Sequence, residues 1–261
     1  MKINVIVSSF TFILLGIAHA ESFDNLEQAL AKPHSVTSLS IKGDSNLKHL
    51  PPKLGALINL NELEISCLEN LENLPVEIGQ LKKLEKIIID NGNGCQMNIS
   101  IPASIGELSN LKVLRLYGAF ASGETDSQLA APASKIKALP ATIAKLQSLE
   151  ELDLGRNGLA SIPPEIASLK RLEKLEVDYN NVHEIPSFIG ELKNLRELSI
   201  RSNGGIKLPQ SLAKLSGVKI SMGNNYLKLK DQTELRRQFP NATFDFENEY
   251  DDDAANEVAH E

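Results

Sequence analysis

The chain has 261 residues, of which 42% are hydrophobic, 23% charged and 5% aromatic, and it contains no tryptophan. This composition provides enough apolar side chains for a sizeable core. The formal net charge of −7 and the lack of a basic stripe argue against a nucleic-acid-binding protein, because phosphates would be repelled.

Residues 1–20 have the features of a secretory signal peptide. Lys2 supplies a positive start, Val5–Ile17 is largely apolar, and Ala18–Ala20 has the small residues of a cleavage site. An uncleaved membrane anchor or a buried strand is the alternative, but the apolar run is short for a spanning helix. The sequence therefore predicts a chain that is exported to the periplasm or the extracellular medium, begins at Glu21, and does not insert into a membrane after cleavage.

The segment 21–35 predicts a short helix that closes one end of the fold. Ser22 is placed to cap this helix, Phe23, Leu26 and Leu30 share one face, and Pro33 ends it.

From residue 36 onward, apolar residues recur at a nearly fixed spacing. The most regular copies start at Leu149, Leu172 and Leu195, 23 residues apart, and follow the pattern L-x-x-L-x-L-x-x-N-x-L that is typical of leucine-rich repeats. The alternating L-x-L piece predicts a strand with one buried face. The Asn that follows supplies an amide where buried backbone groups need partners. Because one coil cannot bury its own leucines, we expect an α/β solenoid of about eight stacked coils, with a curved parallel sheet on its concave face and a cap at each end.

Two of the earlier repeats carry insertions directly after the strand. The repeat that starts at Leu84 has 27 residues and extends through Asp90–Asn98, and the repeat that starts at Leu111 has 38 residues and extends through Ala119–Lys135. Insertions of this kind map to loops on one face of a solenoid, often the binding face, although a tolerated loop without function is the alternative.

The end of the chain predicts a second cap and a tail. Val218 and Ile220 predict a last repeat strand, followed by Asn224, and the cap at 229–247 consists of a helix over Thr233–Phe239 and an edge strand over Ala242–Phe246. Residues 248–261 are acidic and almost without apolar side chains, which predicts a disordered tail. The repeats therefore occupy residues 36–228.

The repeats also resemble a known family. The pattern L-P-x-x-I-G-x-L-x-x-L in Leu74–Leu84, and with Ile first in Ile101–Leu111 and Ile185–Leu195, is similar to bacterial leucine-rich repeats of the plant-intracellular-Ras-group type. Phe23–Leu30 and Leu235–Asn241 resemble the caps of secreted leptospiral proteins of that class. The resemblance extends over residues 22–247 and implies a protein-binding scaffold that contacts host or envelope proteins. The long fourth repeat and the paired cysteines depart from the family, so no particular partner transfers.

Signatures of enzymes are missing. The sequence has no H-E-x-x-H, G-x-S-x-G, phosphate-binding loop or C-x-x-C motif, and its histidines are scattered. The segment Asp90–Gly94 resembles a calcium loop, but Ile101 stands where the closing Glu would be. We therefore expect no catalytic activity, no cofactor and no metal site.

The concave face of the sheet is the predicted binding surface. Its first row of outward residues should run through Ser40, Glu64, Ile88, Arg115, Asp153, Glu176, Ser199 and Lys219, and its second row should end at Ser221. Apolar and aromatic residues with an arginine are typical of interface hot spots, and here they adjoin an acidic half. The candidate partner-binding residues are Ile88, Val113, Arg115, Tyr117, Phe120, Asp153, Glu176, Asp178, Tyr179 and Arg201.

These observations favour a monomeric, non-catalytic module that binds a protein where the third and fourth repeats meet. A glycan-binding or cell-envelope structural module is the alternative, but carbohydrate-binding faces usually carry more stacked aromatics than Tyr117, Tyr179 and Phe120 provide.

The two cysteines predict one disulfide, between Cys67 and Cys95. Both follow strands of consecutive coils, about one strand spacing apart, and an exported chain meets oxidising conditions. Two free thiols are the alternative, because the Asn-Gly-rich loop could direct Cys95 elsewhere.

Overall fold

The computed structural model describes residues 21–43, 46–90, 98–118 and 139–246. The predicted signal peptide, Cys95, Phe120 and the predicted acidic tail lie outside these residues. Within them, ten parallel strands form one sheet in the order of the sequence. The strands are β1 (Glu21–Phe23), β2 (Val36–Lys42), β3 (Glu62–Ser66), β4 (Lys86–Asp90), β5 (Val113–Tyr117), β6 (Glu151–Asp153), β7 (Lys174–Glu176), β8 (Glu197–Ser199), β9 (Lys219–Ser221) and β10 (Thr243–Asp245). The predicted leucine-rich-repeat solenoid is confirmed.

Short 3₁₀ helices form the opposite wall of the solenoid. They span Pro52–Ala56, Val76–Gln80, Ala103–Glu107, Ala141–Lys145, Pro164–Ser168, Ser187–Glu191 and Gln210–Lys214. A proline, such as Pro75 or Pro102, precedes or opens each helix and fixes the backbone there. The leucines and isoleucines between the sheet and these helices are almost wholly buried and form one continuous core.

Glycines let consecutive 3₁₀ helices approach closely. A methyl group on Gly106 would lie 2.3 Å from the carbonyl oxygen of Thr142, and one on Gly190 would lie 2.2 Å from that of Ser211. The Thr142 hydroxyl donates to the Ala103 carbonyl at 2.6 Å across the same contact. The Gly of the I-G pair is therefore required by the neighbouring coil and not by a turn.

A ladder of buried asparagines joins the coils at the ends of the strands. Asn180 donates to the carbonyls of Leu154 (3.0 Å) and Val177 (2.8 Å), and its side-chain oxygen accepts from the N–H groups of Asn157 (3.0 Å) and Leu159 (2.9 Å). Each asparagine thus satisfies backbone groups of its own coil and of the preceding coil. The predicted role of Asn157, Asn180 and Asn203 is confirmed.

The last member of the ladder is Asn225. Asn225 donates to the carbonyls of Ile200 (2.8 Å) and Met222 (2.9 Å). Asn224, which the sequence suggested, instead has a φ of 57°. It matches Arg156, Tyr179 and Ser202, which are also left-handed and also precede a ladder asparagine.

Two helices flank the repeats, α1 (Leu26–Ala31) and α2 (Leu229–Gln238). The prediction that Ser22 caps the first helix is wrong: Ser22 lies in β1, which pairs with β2, so the helix begins later. Asn25 caps it, since its side-chain oxygen accepts from the N–H groups of Glu27 (2.8 Å) and Gln28 (3.1 Å). At the other end, α2 begins four residues before the predicted Thr233, and β10 lies within the predicted edge strand.

Candidate functional site

The face of the sheet that points away from the leucine core, here called the open face, presents its side chains in rows. The row nearest the start of the strands contains Ser38, Glu62, Lys86, Val113, Glu151, Lys174, Glu197 and Lys219. The second row contains Ser40, Glu64, Ile88, Arg115, Asp153, Glu176, Ser199 and Ser221. Tyr117, Gly155, Asp178 and Arg201 continue the face just beyond the second row.

The predicted rows are wrong at the last repeat strand. Lys219 is paired with Glu197, and Ser221 is paired with Ser199. The last repeat is one residue shorter than the regular repeats, so Ile220 lies opposite Leu198. Met222, which is 1% exposed, is the buried residue that follows the strand.

The three apolar candidates lie on neighbouring strands but not opposite one another. Ile88 is paired with Arg115, Val113 with Lys86 and Tyr117 with Asp90, and all three candidates are partly exposed. Charged or polar residues therefore separate them along the rows. The predicted insertions and Phe120 fall largely or wholly outside the described residues, so their place in the site stays a prediction.

Arg115 already has a carboxylate partner within the chain. Its Nε lies 2.5 Å from Oε1 of Glu151, and Lys174 lies 4.0 Å from Glu151 and 3.0 Å from Glu176. The hydrogen bond that Arg115 donates to Glu151 raises the pKa of Arg115 above its ordinary value. A partner's carboxylate that bound Arg115 would share the guanidinium with Glu151. The structure thus places Arg115 in an ion-pair network that joins β5, β6 and β7.

Two carboxylates on this face differ from the others. Asp153 accepts a hydrogen bond from the Gly155 N–H at 2.8 Å, and Asp178 accepts from the Ser199 hydroxyl (2.9 Å) and the Arg201 N–H (2.8 Å). Among the described residues, no lysine or arginine nitrogen lies within 4.0 Å of either carboxylate. Both are therefore half-buried acids held by neutral donors.

The surroundings make these two carboxylates harder to ionise. Burial, followed by the charges of Glu176 and Asp178, raises the pKa of Asp153 to about 6, although the Gly155 N–H and Arg115 oppose this. Burial also raises the pKa of Asp178, against its hydrogen bonds from Ser199 and Arg201. The causes are the ones expected for acids that lose water and lie near like charges.

Two tyrosines lie beside these carboxylates. A methyl group on Gly155 would lie 2.8 Å from Cδ2 of Tyr117 and 3.1 Å from Oδ1 of Asp153, so the absence of a side chain makes room for the ring. Burial raises the pKa of Tyr117 above its ordinary value, and the charges of Tyr179 and Asp153 act in the same direction. The charge of Arg156 and the hydrogen bond between Arg156 and Tyr117 oppose this rise. Tyr179 is 53% exposed.

We call Tyr117, Asp153, Glu176, Asp178 and Tyr179 the tyrosine–carboxylate patch. Sequence reasoning identified all five residues but missed the role of Gly155. The sequence signal for this role is that Gly155 stands at the repeat position where the neighbouring coils carry Tyr117 and Asp178. Arg201 lies at the border of the patch and pairs with Asp245 at 3.2 Å.

Several other expectations concern what the chain lacks. In the described ranges, no group of three or more His, Cys, Asp and Glu residues is arranged to hold a metal ion. No helix in those ranges has the length and hydropathy needed to cross a bilayer.

Cys67 lies directly after β3. Its pairing with Cys95 stays a prediction, because Cys95 lies outside the described residues.

A comparison with protein families matches residues 128–231 to the family described as "Leucine-rich repeat region". The chain has the leucine-rich-repeat fold. The match does not distinguish subtypes, so the resemblance to the bacterial 23-residue class stays a prediction. A comparison with curated protein sequences finds no match.

Solved structures of leucine-rich-repeat proteins are similar in fold. Internalin C2 of Listeria monocytogenes has a TM-score of 0.54 and 18% identity, over 82% of this chain and 83% of the internalin. The HAESA receptor kinase ectodomain of Arabidopsis, solved with a peptide hormone ligand, has a TM-score of 0.52 and 23% identity, over 72% of this chain and 31% of its own. A leucine-rich-repeat protein of Leptospira interrogans has a TM-score of 0.41 and 19% identity, over 87% of this chain and 100% of its own. The likeness to the internalin and to the HAESA ectodomain concerns the fold alone.

Proposed function

We propose that this protein is a non-catalytic scaffold that binds a protein or peptide partner on the open face of its sheet. The observation that carries the proposal is the tyrosine–carboxylate patch, where partly exposed tyrosines adjoin two half-buried carboxylates, Asp153 and Asp178, that form no ion pair with any described residue. Tyrosine side chains provide large, rigid contact areas and are enriched at interface hot spots. The HAESA ectodomain, which shares the fold, was solved with a peptide ligand.

The scaffold is suited to binding because its binding residues stand on a fixed frame. The strands are held by ladder hydrogen bonds, and the asparagines fix the chain just beyond the strands. Side chains on such a frame lose little further freedom when a partner docks, so more of the contact energy appears as affinity.

We also propose that the protein is exported, on the basis of residues 1–20. Amino-terminal sequencing of the protein from its native source should find a start at Glu21. An intact Met1 start in a membrane fraction would contradict export with cleavage.

The binding proposal is tested by cross-linking capture from the native source. We expect Tyr117→Ala and Tyr179→Ala each to weaken capture of a specific protein by roughly 2 kcal/mol. Lys53→Ala, an exposed change in the first 3₁₀ helix, is the matched control and should retain capture.

Unchanged capture by both open-face variants would remove this face as the binding site. Circular dichroism of each variant should match the wild-type protein, because both side chains point away from the core.

A further inference from the structure

We infer that the tyrosine–carboxylate patch binds the arginine side chain of a basic peptide segment in the partner. This inference rests on the proposed function, since it assigns a partner chemistry to the same face. Four features of the described residues carry it: the charge balance, the burial of two carboxylates, the two tyrosines, and the glycine that lets the Tyr117 ring pack beside Asp153.

The charge balance of the open face is uneven. Most charged side chains on the face pair between neighbouring coils, as in Lys42 with Glu64 (2.9 Å) and Lys86 with Glu62 (2.8 Å). Further along the sheet, Lys174 pairs with Glu176 at 3.0 Å. Asp153 and Asp178 lie next to this network and have no lysine or arginine nitrogen within 4.0 Å among the described residues, so Arg115 and Arg201 act on them only from further away. In the part of the chain that the structure describes, Asp153 and Asp178 therefore carry negative charge that no direct ion pair balances.

Burial makes this unbalanced charge a stronger attraction for a cation than a surface carboxylate would be. Asp153 and Asp178 are only partly exposed, whereas Glu197 on the same face is exposed. An ion pair that is partly removed from water is less screened than one at the surface. A cation placed between Asp153 and Asp178 would also reduce the repulsion that these groups and Glu176 exert on one another.

The tyrosines indicate which cation fits. Tyr117 lies over Gly155 beside Asp153, and Tyr179 follows Asp178 directly in the chain. A planar guanidinium can stack on a tyrosine ring while its N–H groups reach carboxylates in a fork, which a lysine ammonium cannot do. A patch that combines exposed aromatic rings with carboxylates thus favours arginine over lysine.

The experiment measures binding of a fluorescein-labelled peptide with two arginines by fluorescence anisotropy. Matched peptides carry lysine or neutral citrulline at the same positions. We expect the arginine peptide to bind at least about threefold more tightly than the lysine peptide, and the citrulline peptide to bind about tenfold less tightly than the arginine peptide.

Three variants locate the site. Asp153→Asn should weaken binding of the arginine peptide about tenfold, and Tyr179→Ala should weaken it several-fold. Glu197→Gln removes the same charge from the same face outside the patch and should change affinity less than about twofold. The Asn side chain can still accept the Gly155 N–H, so Asp153→Asn should fold normally, and a thermal melt checks this.

Equal weakening by Glu197→Gln and Asp153→Asn would overturn the inference, because binding would then follow net charge alone. Equal affinity for the arginine and citrulline peptides would also overturn it. If a native partner is captured through Tyr117 but the peptide shows neither preference, the proposed function stands and this inference fails. If the peptide discriminates as expected but no native protein is captured through this face, the cation site stands and the proposed function fails.

Discussion

The ladder asparagines show how much a single residue contributes to the solenoid. Asn180 makes five hydrogen bonds to backbone groups, and the residue is 6% exposed. Asn180→Ala would leave these buried groups without partners, so we expect the free energy of unfolding to fall by about 2–4 kcal/mol. Urea denaturation measures the change.

Asn194→Ala is the matched control for Asn180→Ala. Asn194 donates a single exposed hydrogen bond, to the Lys170 carbonyl at 2.7 Å. Loss of this hydrogen bond should lower the free energy of unfolding by less than about 1 kcal/mol. Similar losses for the two variants would contradict the role given to the ladder.

Asp153 should make stability depend on pH. Its pKa is 3.8 in the absence of structural effects and about 6 in the folded protein. Between these values the folded state binds more protons than the unfolded chain, so the free energy of unfolding falls as pH rises and levels off above pH 6. The contribution of Asp153 to this fall is at most about 3 kcal/mol.

Asp153→Asn should remove that contribution. Urea denaturation from about pH 4 to pH 7.5 should show a smaller loss of stability with rising pH in the variant than in the wild-type protein. Asp178 titrates in both proteins, so only the difference between the two curves reports on Asp153. Parallel curves would show that the surroundings of Asp153 do not raise its pKa.

At the scale of elements, the stacking of 3₁₀ helices determines which residues the repeats tolerate. Gly106 and Ala144 occupy the same repeat position in consecutive coils. Gly106→Ala would place a methyl 2.3 Å from the Thr142 carbonyl oxygen, so the coils would have to separate. We expect a destabilisation of about 1–3 kcal/mol by thermal denaturation.

The sign of the Gly106 result is itself diagnostic. Where an alanine fits, replacing glycine stabilises a fold by about 0.4–1 kcal/mol because the unfolded chain becomes less free. Ala144→Gly, the reverse change at the next coil, should show this ordinary effect and destabilise by about 0.5–1 kcal/mol. A stabilising Gly106→Ala would mean that the coils are not in close contact there.

The elements also show how far the sequence could be interpreted. The L-x-L pieces predicted most of the strands because burial of one face imposes a period of two. The same rule misplaced Lys219. Val218 and Ile220 are spaced like the two inward-facing residues of a repeat strand, but the last repeat is one residue shorter, so Ile220 and not Val218 lies opposite Leu198. Ser22 was misassigned for a related reason: pairing with β2 outweighed its local capping preference.

The sequence could predict which residues belong to the site but not which contacts they make. The outward position of Arg115 follows from the pattern, whereas its ion pair with Glu151 depends on the register across a 38-residue repeat and on side-chain rotamers. The raised pKa of Asp153 depends on burial by residues from neighbouring coils, which a linear pattern does not report.

The predicted disulfide between Cys67 and Cys95 would join the coils of β3 and β4. It would close a loop of 28 residues, and loss of chain entropy in the unfolded state suggests a stabilisation of roughly 3–4 kcal/mol. Titration of the native, non-reduced protein should find no reactive thiol. Two reactive thiols would contradict the pairing.

At the scale of the whole molecule, each coil is stabilised only by its neighbours, so the ends carry the largest risk of exposing the core. At the carboxyl end, Phe239 is 1% exposed and Phe246 is 6% exposed, and both belong to the continuous core. The Met222 N–H donates to the backbone carbonyl of Asp245 at 2.7 Å, and the Thr243 N–H donates to the backbone carbonyl of Val218 at 2.9 Å. Strand β10 therefore covers the edge of β9.

Removal of residues 229–261 should therefore do more than shorten the protein. It would uncover the core residues Ile220 and Met222 and leave the edge of β9 unpaired, which is a template for association between chains. We expect size-exclusion chromatography to show oligomers or aggregates, and the melting temperature to fall by at least about 5 °C.

Removal of residues 247–261 alone is the matched control. It takes away the predicted acidic tail but leaves α2 and β10, so the protein should elute as the full chain does and melt within about 2 °C of it. If the longer truncation behaves like this control, the last repeat strand is stable without its cap, and the solenoid does not depend on a covered end.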